Sequence, residues 1–159
     1  MKTSFGNPLT RLLWGGVVPT AVERTLLQAG IESFPERLRT PLLAQVEACN
    51  LVQREHDGRA LNFYRKQGGA VTRDGLPELP IKPGEVRLLG IAFELAGRAG
   101  RLNATMTAVD RQFFCLSLSH DLRSAGAGTQ VRIVDMVQSW RSSLLPPCDA
   151  DAQAGTRNL

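Results

Sequence analysis

KQGGAVTRDGLPELPIKP, residues 66–83, is the stretch on which the fold turns. Its Gly68-Gly69 pair, its Asp74-Gly75 turn and its three prolines, Pro77, Pro80 and Pro83, cannot continue a helix. The apolar residues on either side recur at helical spacing. The stretch is therefore expected to be a stiff connector that folds two long helices back on each other as an antiparallel hairpin. Inside it, Ala70-Val71-Thr72 and the residues after Asp74-Gly75 suit a small β-hairpin or an extended loop, because Asp-Gly readily takes the positive φ angles of a tight turn.

Working outward, Leu42, Leu43, Val46, Cys49 and Val52 form one apolar stripe, with Gln45, Glu47, Gln53 and Glu55 turned to water. Leu61 and Tyr64 stay in step, so one helix is expected over residues 41–67, with a weak point at Asp57-Gly58. Pro41 starts or kinks it. After the connector, Pro83 fits a first helical turn, and Val86, Leu89, Phe93 and Ala96 carry the second helix to about Leu102. Upstream, Thr20-Ala21-Val22-Glu23 and Ser33-Phe34-Pro35-Glu36 both match the capping box, and Gly30 sits where a helix stop belongs, giving a short helix over residues 21–29. Downstream, Thr107-Ala108-Val109-Asp110 caps a further helix through Phe113, Phe114 and Leu118, and residues 131–140 read as helix or strand. The expected fold is mainly α: an antiparallel long-helix hairpin with a short β-hairpin or extended connector, preceded by short capped helices. Residues 1–141 form a single helical domain, with a DNA-binding part at 1–40 and the hairpin core at 41–111. Residues 142–159 are a Ser-, Pro-, Ala-, Asp- and Gly-containing tail expected to be disordered.

With 159 residues and 43% apolar content the chain is long enough for one real core. Nineteen Lys and Arg against 15 Asp and Glu give a formal charge of +4, and with a pI near 9.4 this suits a polyanionic partner. Lysine occurs only at Lys2, Lys66 and Lys82; the rest of the positive charge is arginine, the better bidentate phosphate ligand. Cys49, Cys115 and Cys148 are odd in number and widely spaced, which argues against a disulfide framework and against clustered metal ligands. No apolar run approaches the roughly 18 residues that span a bilayer, and residues 1–16 lack the features of a secretory signal. The expectation is a cytoplasmic protein without membrane contact.

No catalytic, cofactor or metal motif stands out. Ser119-His120-Asp121 holds the residue types of a nucleophilic triad, but consecutive residues point to different faces and cannot form a relay. Cys115 and His120, five apart on one helix, would diverge. Gly97-Arg98-Ala99-Gly100 lacks the strand that precedes a phosphate-cradling loop. The chain is expected to be non-enzymatic, and the DNA contacts that the second family resemblance below implies are assigned to Arg11, Arg24, Arg37 and Arg39 in the N-terminal third.

Two family resemblances add to this. Residues 114–124, FCLSLSHDLRS, resemble the phosphoacceptor box of histidine kinases, which would make His120 the phosphorylated residue. Ala125-Gly126-Ala127-Gly128 then breaks the helix that the box normally continues. A second likeness covers residues 6–111. Gly6-Asn7-Pro8 with Arg11, then Gly68, Thr72, Gly75 and Pro83 in the connector, Glu94-Leu95, and finally Leu102, Thr105 and Arg111 resemble the phage terminase small subunits. The closing element lacks that family's glycine and its proline after threonine. The resemblance implies a ring-forming homo-oligomer that recognises double-stranded viral DNA and regulates the large terminase subunit in the bacterial host cell. The alternatives are a small helical regulatory or interaction protein of a mobile element, or a histidine phosphotransfer fragment.

Overall fold

The computed structural model describes residues 16–145. Two helices, α1 (Ala21–Glu32) and α2 (Glu36–Ala48), precede eight strands: β1 (Leu51–Arg54), β2 (Ala60–Tyr64), β3 (Lys66–Gln67), β4 (Ala70–Val71), β5 (Glu85–Leu95), β6 (Leu102–Val109), β7 (Gln112–Leu118) and β8 (Val131–Gln138). A 3₁₀ turn, Trp140–Ser143, follows. Six strands form one sheet in the order β1-β2-β7-β6-β5-β8 with every neighbouring pair antiparallel, and β3-β4 form a separate ribbon. The expected mainly α fold is thus overturned. The described chain is a large antiparallel sheet with two helices on one face.

The long helix expected over residues 41–67 ends at Ala48. What read as its weak point is the turn of a hairpin: Gly58 has φ +76°, the Glu55 amide donates to the Ala60 carbonyl, and Leu51–Arg54 pair with Leu61–Tyr64. The second expected helix is β5. Its Val86, Leu89 and Phe93 satisfy a helical period, but Leu89, Ile91, Phe93 and Leu95 also satisfy a period of two, and a bulge between Arg87 and Leu89 resets the phase so that both patterns fit one segment. The expected helix through Phe113 is β6 and β7, joined at Asp110-Arg111 with φ +48° and +66°. Asp tolerates that left-handed geometry, and the turn matches the twist of the flanking strands. Residues 131–140, open between helix and strand, are mostly β8.

Punctuation upstream is mixed. The Thr20 capping box forms: Thr20 Oγ1 accepts from the Glu23 amide at 3.2 Å and Glu23 accepts from the Thr20 amide at 2.6 Å. Gly30 does not stop α1 but lies inside it, where the helix presses on the sheet. A Cβ there would come 2.4 Å from Met106 Sδ. The second capping box is absent. Ser33 closes α1, its Oγ donating to the Gly30 carbonyl, and Pro35 begins α2 without a side-chain cap. Gln45, expected in water, is 2% exposed and pins α2 to β7. Its amide donates to the Pro77 and Arg111 carbonyls, and its oxygen accepts from the Phe113 amide at 2.7 Å. In the connector, the small hairpin turns on Gly68-Gly69 rather than Asp74-Gly75.

One continuous core fills the space between the helices and the inner sheet face, with Leu26, Leu27, Leu38 and Leu42 from above and Leu61, Leu89, Ile91, Phe93, Met106 and Leu116 from below. The outer sheet face is different. Along β6, buried Leu102, Ala104, Met106 and Ala108 alternate with Asn103, Thr105, Thr107 and Val109. One sheet edge, β1, carries the segment before α1, whose Val17 amide donates to the Val52 carbonyl. Of the expected tail, Leu144 bridges to Ile81 and the Leu145 amide donates to the Pro80 carbonyl; residues 146–159 lie outside the described residues.

Candidate functional site

Antiparallel pairing sends β1, β5 and β7 toward one end of the sheet and starts β2, β6 and β8 from it. Three connections therefore meet there: residues 55–59, 96–101 and 119–130. Between them they hold both histidines of the chain, His56 and His120, and Arg59, Arg98, Arg101 and Arg123.

They form one continuous surface. The Leu118 amide donates to the Arg59 carbonyl at 2.7 Å, which ties the last connection to the first. The Ser119 amide donates to the Asn103 carbonyl at 2.8 Å, and the Asn103 amide donates to Ser119 Oγ at 2.9 Å, which ties it to β6. A Cβ on Gly58 would lie 2.5–2.7 Å from the Asp121 carboxyl, so the two loops touch. Leu122, 2% exposed, anchors the longest connection in the core. Between residues 96–98 and 121–129 lies a cleft of about 140 Å³, lined by Arg98, Ser124 and Thr129 among others.

Cations here fall into two groups. Arg54 is consumed by Glu23: both its terminal nitrogens meet the carboxylate, one at 2.8 Å, with side-chain exposures of 8% and 0%. Arg123 is held by Asp121, whose carboxyl accepts from the Arg123 Nε at 2.8 Å and from its amide at 2.9 Å. These bonds hold the Asp121 carboxyl below the usual range and push the Arg123 guanidinium up. By contrast, the guanidinium groups of Arg59, Arg98 and Arg101 are exposed and bond to no group among the described residues. Arg87 likewise has no partner among the described residues and extends along the outer face, where it covers Gly90. Arg101 and Arg87 flank a second depression of about 220 Å³ over Gly90, Ala92 and Asn103, with Asp135 and Val137 on its far side. Arg98, Arg101 and Arg87 thus run from the loop end onto the outer face. The anions nearby are Glu55, Asp57, Glu94, Asp121 and Asp135, of which Glu94 is paired with Arg132. Asp57 accepts from the Arg59 amide and Asp135 from the Met136 amide.

The arginines assigned from sequence lie elsewhere. Arg11 is outside the described residues. Arg24 donates to the Pro19 carbonyl, Arg37 to the Leu145 carbonyl at 2.8 Å, and Arg39 is ion-paired with Glu36 one turn earlier. The three sit in a helical layer that also carries Glu23, Glu32, Glu36 and Glu47. The signal for the loop arginines, Arg59, Arg98 and Arg101, was their place at strand ends next to glycine turns, invisible while the strands were read as helices.

The other candidates resolve plainly. Burial pushes the Cys49 thiol up to about 12 and the Cys115 thiol upward as well, so neither is a ready thiolate. Cys115 contacts Ser117 Oγ at 3.3 Å, within β7, and does not pair with His120. His120 Nδ1 does approach Ser119 Oγ at 3.2 Å, but Asp121 turns to Arg123, leaving no relay. Among the described residues no three His, Cys, Asp or Glu side chains gather as metal ligands, and no helix is long and apolar enough to cross a membrane.

The helical hairpin that carried the terminase likeness is absent. Gly68 turns the β3-β4 ribbon, Glu94-Leu95 end β5, and Leu102 and Thr105 belong to β6; Gly6-Asn7-Pro8 lies outside the described residues. The helical description falls with it, and the DNA-packaging one is left without support. No protein-family model matches this chain, and no curated protein or solved structure matches it significantly.

Proposed function

We propose that this protein is a non-enzymatic nucleic-acid-binding module that grips the phosphate backbone with Arg59, Arg98 and Arg101 at the loop end and Arg87 on the outer sheet face. One observation carries this: among the described residues these four guanidinium groups have no partner, while Arg39, Arg54, Arg111, Arg123 and Arg132 are each ion-paired with a carboxylate. A cation left without an anion at a surface is the one able to release counterions from a polyanion. Neighbouring Asn103, Thr105, Thr107 and Ser117 offer amide and hydroxyl donors of the kind that position a sugar-phosphate chain without reading sequence. From Arg101 to Arg87, which pairs with Thr107, the ladder runs about 20 Å at roughly 3.3 Å per residue, the length of about six phosphate steps on a B-form strand.

Anisotropy of a labelled 20-nucleotide duplex and of the matching single strand, titrated between about 50 and 200 mM salt, tests this. Neutralising about three phosphates predicts a log-log slope near −2 to −3 and an affinity loss of roughly 15- to 60-fold across that range. Binding that ignores salt, or no binding at about 50 mM, refutes it.

A further inference from the structure

Resting on that reading, we infer that the cleft between residues 96–98 and 121–129 is a subsite for a terminal phosphate, the monoester at the end of a strand rather than a diester within it. The cleft is small. Its volume of about 140 Å³ exceeds the roughly 30 Å³ of one water and falls below the roughly 300 Å³ of the smallest ordinary ligand pocket, so it suits one compact group. Buried Leu95 and Leu122 form part of its wall, and the rest is mostly polar or backbone.

The donors match the more highly charged end group. Arg98 presents a guanidinium fork with no competing partner among the described residues, suited to two phosphate oxygens at once. The hydroxyls of Ser124 and Thr129 line the same space and make no side-chain bond within the described chain. Gly97 and Gly126, lacking side chains, let a phosphate approach the backbone. Asp121 is the one carboxylate on the wall. Its charge is offset by Arg123, which bonds both of its oxygens, so it does not oppose an anion as a free carboxylate would. A monoester carries close to two negative charges at neutral pH against one for a diester, and that extra charge is what Arg98 would select.

The test uses the full chain and 12-nucleotide single strands labelled at the 3′ end and carrying either a 5′-phosphate or a 5′-hydroxyl, with a set labelled at the 5′ end for the 3′-phosphate. The phosphorylated ends are expected to bind about 10-fold tighter. Arg98→Gln should abolish that advantage while changing the hydroxyl-ended affinity about 2-fold, and Ser124→Ala with Thr129→Val should reduce it. Inorganic phosphate at millimolar concentration should displace the phosphorylated strands selectively, whereas a 5′-mononucleotide that competes better than inorganic phosphate would show that the base contributes. Equal affinity for the two ends, with salt dependence intact, overturns the subsite and leaves nucleic-acid binding standing. Failure of every strand to bind at low salt overturns both. Persistence of the advantage in Arg98→Gln overturns the assignment of Arg98.

Discussion

Removing Arg54, buried at the end of β1 against α1, should be strongly destabilising, and the structure sets the size of the loss. Glu23 is wholly buried and satisfied by three groups: the Thr20 amide and both terminal nitrogens of Arg54. This couples the first turn of α1 to the end of β1 and, through a longer contact from Arg54 to the Gly58 carbonyl at 3.4 Å, to the turn of the candidate site. Arg54→Met strands the carboxylate without its countercharge, which costs about 3–5 kcal/mol for a buried pair broken on one side. That is a large share of the roughly 5–15 kcal/mol that holds a domain together. With a urea dependence near 2 kcal/mol per M, the midpoint should fall by about 1.5–2.5 M. The double replacement Glu23→Met with Arg54→Met removes both charges and loses one half of the capping box, so it should cost only about 1–2 kcal/mol. The coupling energy from the cycle should then exceed about 2 kcal/mol, measured by urea unfolding followed by tryptophan fluorescence and circular dichroism. A loss below about 1 kcal/mol for Arg54→Met, or a double replacement costing the sum of the single ones, would refute the reasoning.

Other outcomes follow from single features. Gly30→Ala, usually a gain of about 0.5–1 kcal/mol inside a helix, should instead destabilise by about 1–3 kcal/mol, because the new methyl meets Met106 Sδ at 2.4 Å; a raised midpoint in thermal unfolding would contradict this. Gly58→Ala forces a left-handed φ of +76° on alanine and drives its methyl toward the Asp121 carboxyl, so a loss of about 1–3 kcal/mol is expected, together with weakened oligonucleotide binding. Cys49 gives a pH effect of definite sign. Its folded value, about 12, lies above the ordinary 9.0, so the unfolded chain loses the proton first and stability is full below pH 9 and falls as pH rises toward 12. The wild type should therefore lose up to about 1.4 kcal/mol per pH unit more than Cys49→Ala between pH 9 and 11 in urea unfolding, and parallel curves would exclude the effect.

Part of this fold was legible from the residues. The Thr20 box, the start of α1, the start of α2 near Glu36 and the breaking power of Gly68-Gly69 all depend on local chemistry within four residues, which composition reveals. The sheet was missed because its strands are short or bulged. Leu51–Arg54 and Ala60–Tyr64 give too few residues for alternation to outweigh a helical stripe running in from α2, and the bulge at Arg87 and Leu89 supplies an i, i+3 step inside β5. One turn, Asp57-Gly58, held missing information, because Asp-Gly between short apolar runs marks a hairpin; Asp110-Arg111 carries no such dipeptide signal. The charge balance pointed to a polyanion, but which arginines are spare depends on pairings between distant residues, such as Arg54 with Glu23 and Arg132 with Glu94, and no local pattern reveals those.

The placement of nucleic-acid contacts is tested most directly by exchanging two triplets of arginine for glutamine and measuring the salt slope of duplex binding. Loss of Arg59, Arg98 and Arg101 should flatten the slope by about 2 and weaken binding at least 10-fold at about 50 mM salt, whereas loss of Arg24, Arg37 and Arg39 should leave the slope within about 0.5 of wild type. A flattened slope from the helical triplet with an unchanged one from the loop triplet would contradict the placement and return the contacts to the N-terminal helices.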